Sequence, residues 1–398
     1  MNRLRIIAFA FTIFSIIGLT ACDGYFGEKT DLDFIEIPDY QSREVAYVPI
    51  QPVLDNFMRP TDVLAGFDNL IYVADNGAEE IVCMDEAGNI LSRYSIPGAT
   101  KVIQDRSLDL LAIGTKDTII SGYEYSLTCI YRLDLKGDLG YGLRYAEITN
   151  EIVHPFYFKT GFSTKDQYVI FSDISIIGDN DFYVSRTGTS NNLNQIGGPD
   201  DAVLLFGDDD VFQTPITVTA SGSSYRDYFS EPSAIVTQCQ PPQISANESR
   251  DFIVAYGDDE TEYKIRYIEY FESDLAIEYN PGDQVAEDTS KADGFITEAN
   301  KFSAPSDITI SGDGTNYVFV LDTDRDSLYQ FTYSGLEGVQ PPAGAASTKY
   351  VKTSFGGEGV ELTQFNNPQG VAYFNEIVYV ADTDNGRVLR FKLTSDFE

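Results

Sequence analysis

From residue 57 onward, short apolar runs alternate with polar punctuation, and the same order of runs comes round six times. A large apolar residue, two others and a proline open each round: Phe57-Met-Arg-Pro60, Tyr94-Ser-Ile-Pro97, Ile152-Val-His-Pro155, Phe229-Ser-Glu-Pro232, Phe302-Ser-Ala-Pro305 and Phe365-Asn-Asn-Pro368. A first apolar stretch follows each proline: Val63-Leu64, Val102-Ile103, Phe156 to Phe158, Ile235-Val236, Ile308 to Ile310 and Val371-Ala372. A second, β-branched and aromatic run comes next: IYVAD (71–75), LAIGT (111–115), FYVSR (182–186), FIVAY (252–256), VFVLD (318–322) and VYVAD (378–382). The third run alternates, as in IVCMD, IYRLD, AVLLF, KIRYIEY, SLYQF and RVLRF, and usually meets a turn rich in Asp or Gly.

Short strands separated by Gly and Asp turns predict antiparallel β structure. Six such units are too many for an immunoglobulin-like sandwich, and four-stranded units at this spacing predict a β-propeller. A proline ahead of the first strand is tolerated because a chain just reaching a sheet needs no ladder donor there. The last unit supplies three strands before Glu398, so its outer strand has to come from elsewhere. Glu44 to Ile50 has the composition for it and would close the ring, removing two free sheet edges. The expected fold class is all-β: a six-bladed β-propeller of four-stranded antiparallel blades over 44–398, closed by an N-terminal strand.

Phe365-x-x-Pro368-x-Gly370-Val371, then Val378 to Asp382 and Asn385 to Phe391, resemble an NHL repeat. The units at 302–331 and 57–88 resemble it well and the middle three in outline. The resemblance implies a propeller, commonly six-bladed, in agreement with the count of units.

Residues ahead of the repeats read differently. Arg3 and Arg5 precede an apolar run, Ile6 to Gly18, and Leu19-Thr-Ala-Cys22 ends in small residues and a cysteine. That is the layout of a secretory signal, with an apolar run too short to span a bilayer as a helix. The tetrapeptide resembles the bacterial lipobox, which implies lipidation at Cys22; an ordinary signal cut near Ala21 is the alternative. The expected organisation is therefore a lipoprotein signal peptide at 1–21, a lipidated tether at 22–43 and the propeller at 44–398. The expected location is the bacterial cell envelope, at the outer membrane, held by acyl chains.

Composition sharpens this picture. The chain has 26 Tyr, 26 Phe and no Trp, enough aromatic mass for a large β core. With 62 acidic against 27 basic residues, its net charge of −35 repels phosphate backbones and excludes nucleic acid as an expected partner. Cys83, Cys129 and Cys239 show no zinc spacing and read as buried thiols, although an exported protein can join two of them.

Asp322-Thr-Asp324 and Asp382-Thr-Asp384 have the spacing of a calcium loop. The sixth and twelfth places hold Ser327 and Tyr333 in one and Arg387 and Leu393 in the other, so neither has its turn glycine or closing glutamate. The Asp belongs to the repeat, since Asp75 stands at the same place, and it can hydrogen-bond nearby backbone. The aligned positions vary more elsewhere: Thr115, Arg186 and Tyr256 at the strand end, and Arg59, Ile96, His154, Glu231, Ala304 and Asn367 before the proline. In the usual topology both sets face one mouth of the central channel. Arg59, Asp75, His154, Arg186, Glu231, Tyr256, Asp322, Asn367, Asp382 and Arg387 are thus candidate ligand-binding residues. His154 is the one histidine in the chain, which excludes a three-histidine zinc site. Phe229-Ser-Glu231-Pro232 is faintly similar to the metal-binding glutamate of gluconolactonase-like propellers, but Ser233 replaces the expected glycine.

Long insertions at 187–201, 219–228, 240–249 and 280–300 carry Asn, Gly, Ser and Tyr suited to a sugar or peptide. The reading is a non-catalytic propeller, expected as a monomer, binding a glycan, peptide or protein without a cofactor and touching the membrane through its anchor alone. The alternative is a metal-dependent hydrolase or lactonase in which Glu231, Asp322 and Asp382 hold calcium or another divalent cation.

Overall fold

Six blades, each with four antiparallel strands, follow one another along the described residues, and one of the sheets is extended to six strands. The computed structural model describes residues 45–241, 249–274, 276–282 and 285–397, so the leader, Cys22 and the tether lie outside the described residues. Blade 1 runs Pro60–Ala65, Ile71–Asp75, Glu80–Met84 and Ile90–Ser95, from the channel outward. Blade 2 is Lys101–Gln104, Leu110–Ile120, Tyr123–Asp134 and Glu147–Val153, and blade 3 is Ile170–Ile176, Phe182–Thr187, Ala202–Phe206 and Phe212–Pro215. Blade 4 comprises Pro232–Thr237, Phe252–Tyr256, Ile265–Glu272 and Ile277–Pro281, extended outward by a hairpin, Val218–Ala220 and Ser223–Tyr225. Blade 5 is Pro305–Ile310, Val318–Asp322, Ser327–Phe331 and the short Phe355–Gly356.

Blade 6 takes three strands, Pro368–Phe374, Ile377–Asp382 and Arg387–Leu393, from the end of the chain. Its outer strand is Tyr47–Pro49, antiparallel to Arg387–Leu393 with Tyr47 opposite Leu393 and Pro49 opposite Phe391. The ring therefore closes as the sequence predicts.

One strand lies elsewhere than its sequence suggests. Phe156 to Phe158, the apolar stretch after Pro155, forms a turn, and the inner strand of blade 3 starts at Ile170. The aromatic side chains of that turn explain why: Tyr157 and Phe158 pack with His154, Phe171 and Phe212 in one cluster and leave no free strand face.

The repeated Phe-x-x-Pro and the strand-end Asp form one device. Phe365 is fully buried against Phe355 and Phe391, at 5.7 and 6.0 Å between ring centroids. Phe302 packs likewise on Tyr329 and Phe331. The residues that follow have backbone N–H groups with no strand partner, and the Asp accepts them. Met58 and Arg59 donate to Asp75, both at 2.8 Å; Ser303 and Ala304 donate to Asp322; Asn366 donates to Asp382 at 2.7 Å. All three Asp side chains are wholly buried, which is tolerable because amide donors satisfy them.

Candidate ligand-binding site at the channel mouth

Five inner strands begin with a bulge, seen as a register shift between Pro60 and Asp62, Phe171 and Asp173, Pro232 and Ala234, Pro305 and Asp307, and Pro368 and Gly370. A bulge re-aims the extra residue. Thr61, Ser172, Ser233, Ser306 and Gln369 accordingly meet at one end of the channel, joined by Thr100 from blade 2, around a pocket of about 380 Å3.

The hydroxyls link neighbouring blades. Thr61 Oγ1 donates to the Thr100 carbonyl at 2.9 Å, Ser233 Oγ to Pro305 at 2.6 Å and Ser306 Oγ to Pro368 at 3.1 Å; Ser172 Oγ donates to Pro232. Thr323 Oγ1 also donates to the Pro368 carbonyl, at 2.7 Å.

One layer deeper, alternate blades send an aspartate to the axis: Asp62 from blade 1, Asp173 from blade 3 and Asp307 from blade 5. In each, Oδ2 accepts the backbone N–H of the next blade's inner strand: Val102 at 2.8 Å, Ile235 at 2.7 Å and Val371 at 2.7 Å. Each Oδ1 faces Lys101 Nζ, at 3.7, 4.0 and 3.1 Å respectively. Blades 4 and 6 place Ala234 and Gly370 at this level, and the glycine is required: a Cβ there would lie 2.5 Å from Asp62 Cα.

Lys101 and the three carboxylates are all buried. Burial alone would lower the ammonium's pKa, but Asp307, Asp173 and Asp62 together raise it, so Lys101 stays charged. Burial raises all three carboxyl groups, with Lys101 opposing, and Asp173 is pushed up to about 8. The cluster separates the mouth from a small inner cavity of about 50 Å3 that Gln240 and Pro241 also line.

The ten residues expected at the mouth divide sharply. Glu231 lines the pocket, exposed and at φ 43°. Its carboxyl is raised by partial burial and by Asp201, Asp258 and Asp259 nearby. Arg59 and Asn367 do not line the pocket and share Asp384, at 3.2 and 2.9 Å. Asp75, Asp322 and Asp382 are turned into their loops, and Arg387 donates to Asp382 at 2.7 Å and to the carbonyls of Val360, Glu361 and Gln364. Arg186 is wholly buried and holds the insertion after it, donating to the Asp200 and Gly197 carbonyls, both at 3.0 Å, and to Tyr157. Tyr256 is buried in blade 4 and donates to the Tyr228 carbonyl.

His154 is buried among Tyr157, Phe158 and Phe171. Burial, with Arg186 and Lys159 nearby, lowers its pKa to about 2. Asp166 lies 3.9 Å from Nε2, but the neutral ring makes this no ion pair. Cys83, Cys129 and Cys239 are free thiols, and burial raises each, Cys83 to about 11 and Cys129 to about 12.

The Leu110–Ile120 and Tyr123–Asp134 hairpin runs five residues past Thr115, roughly 17 Å of strand, and Tyr125 packs on Phe162 at 4.6 Å.

Sequence reading missed Lys101, Asp62, Asp173 and Asp307. Pro60-Thr-Asp62 and Pro305-Ser-Asp307 carry a visible signal, the shared Pro-Ser/Thr-Asp. Asp173 lacks it, because Phe171 stands where the proline would be.

Residues 365–391 match the NHL repeat family. Comparison with curated proteins returned no match. Among solved structures, a structural-genomics protein of unknown function from Bacteroides thetaiotaomicron is similar with a TM-score of 0.50 at 10% identity, over 88% of this chain and 76% of that one. An auxiliary nutrient binding protein from Bacteroides ovatus gives 0.47 at 12%, over 88% and 72%. Virginiamycin B lyase from Staphylococcus aureus gives 0.45 at 10%, over 87% and 99%. At 10% identity the likeness to the Bacteroides thetaiotaomicron protein shows the fold alone.

Proposed function

With a six-bladed β-propeller that carries an NHL repeat in its last blade as the premise, we propose that the chain is a non-catalytic binding protein whose channel mouth holds the ligand. The observation that carries this reading is the pocket of about 380 Å3 over a floor whose ionisable groups already serve the fold. Lys101 is neutralised by three carboxylates, and each carboxylate also accepts an amide from the next blade. A floor so committed to the fold is suited to positioning a ligand. The hydrolase alternative asks Glu231, Asp322 and Asp382 to share a cation. Asp322 and Asp382 spend both carboxylate oxygens on hydrogen bonds within their own blades.

The protein belongs, on this reading, to the bacterial envelope as a lipoprotein acylated at Cys22, which the leader sequence supports. Mass spectrometry of the N-terminal peptide tests that part, with acyl chains on Cys22 as the expected result. The binding reading is tested by calorimetric titration of short peptides and neutral oligosaccharides into the wild type and Gln369→Trp, a variant that fills the mouth. A ligand bound by the wild type and lost in the folded variant is expected; equal binding by both overturns the assignment to the mouth.

A further inference from the structure

The ring at the mouth has a one-sided hydrogen-bonding character. A serine or threonine hydroxyl has one proton and two lone pairs. At Thr61, Ser172, Ser233, Ser306 and Thr323 the proton is given to a backbone carbonyl. The side-chain amide of Gln369 donates in turn to Asn367 Oδ1 at 3.2 Å. What these hydroxyls have left for a ligand is acceptor capacity.

Charge points the same way. Lys101 lines the floor of the pocket and is faced by three aspartates, which offset its positive charge. On the rim, Glu231 has Asp201, Asp258 and Asp259 around it. A rim of one sign concentrates ligands of the other.

We infer that the mouth recognises a primary ammonium group, presented by the amino terminus of a peptide or another alkylamine. This rests on the mouth being a binding site, and it names the ligand's chemistry. An ammonium offers three donors and a positive charge to a ring of oxygen acceptors. For an anion the pocket offers Lys101, whose ammonium is already faced by three carboxylates, and the second side-chain N–H of Gln369. A divalent cation would need carboxylate oxygens in its first shell, and those of the deeper layer are occupied by Lys101 and by amides. A pocket of about 380 Å3 holds a residue or two of peptide, which suits a chain end better than an internal segment.

The test is calorimetric titration of the full-length protein with tri-alanine and with N-acetyl-tri-alanine. The free amine should bind at one site, and acetylation should weaken it about tenfold or more, the scale of one hydrogen bond to a charged group. Glu231→Gln should weaken the free peptide about three- to tenfold and leave the acetylated one unchanged, while Gln369→Trp should abolish binding. Equal affinity for the two peptides overturns the ammonium assignment, and so does binding of maltotriose in place of either peptide. In both cases loss of that binding in Gln369→Trp keeps the mouth as the site. A probe that binds Gln369→Trp as tightly as the wild type overturns the mouth itself.

Discussion

The backbone N–H of Ile235 donates to Asp173 Oδ2 at 2.7 Å, from the inner strand of blade 4 to that of blade 3. Val102 and Asp62 repeat the relationship between blades 2 and 1, and Val371 and Asp307 between blades 6 and 5. The six blades are thus clasped in three pairs at the axis, and one lysine ties the pairs together.

Removing that lysine should be costly. Lys101→Met leaves three buried carboxylates without their cation, a loss of about 3–5 kcal/mol by analogy with broken buried pairs. Thermal unfolding at pH 8 should show a marked fall in midpoint that narrows at pH 5, where the carboxylates take up protons. A midpoint equally low at both pH values would assign the loss to packing instead.

Stability should also fall on the alkaline side. Burial, with help from Asp307 and Asp62, pushes Asp173 up to about 8, whereas an unfolded Asp titrates near 3.9. The proton that only the folded state keeps contributes stability below the unfolded value, and that stability is lost as pH rises through about 8. His154 has the opposite sign: its folded value of about 2 lies below the unfolded value near 6.5, so its contribution is present above 6.5 and lost as pH falls. Calorimetric scans between about pH 6.5 and 9 should show a descending midpoint for the wild type and a flatter one for Asp173→Asn. Retention of the full descent in Asp173→Asn would contradict this assignment.

Gly370→Ala should destabilise although it adds one methyl. The new Cβ would meet backbone, Asp62 Cα at 2.5 Å and Val63 N at 2.9 Å, and backbone cannot swing aside as a side chain can. Overpacking of this kind costs about 1–3 kcal/mol, measurable as a shift in the urea midpoint. Gly161→Ala, where nothing lies within 4 Å, is the control expected to stay near the wild type.

Asp75→Ala should loosen the loop ahead of blade 1. It leaves the Met58 and Arg59 N–H groups without their acceptor, at about 1–3 kcal/mol for each that stays dry. Hydrogen exchange should accelerate at Met58 and Arg59 and stay slow in Ile71–Asp75, whose ladder is intact. Unchanged exchange at both amides would show that the carboxylate is not their protection.

The fold was legible because strands, turns and loop anchors repeat, so errors in one unit are corrected by five others. Asp75, Asp322 and Asp382 stood out for the same reason, and their role is structural: repetition marks what every blade needs. The axial cluster was hidden because its members differ between blades, Asp in three, Lys in one, Ala234 and Gly370 in two. Blade 3 compounded this, since the aromatic turn after Pro155 imitated a strand and concealed Asp173. Arg186 and Tyr256 looked like ligand-facing departures from the repeat, and each instead fills space and satisfies carbonyls inside its own blade.

The pairing of Tyr47–Pro49 with Arg387–Leu393 sets an order of assembly. The strand that completes the ring is made first and its partner last, so a partly synthesised chain is an open arc with an unpaired edge at each end. Such edges invite pairing with other chains. Val45 and Tyr47 share one buried cluster with Phe391 and Leu393. The riskiest interval in this protein's life falls before its final strand exists, and a chain lacking either end remains in it.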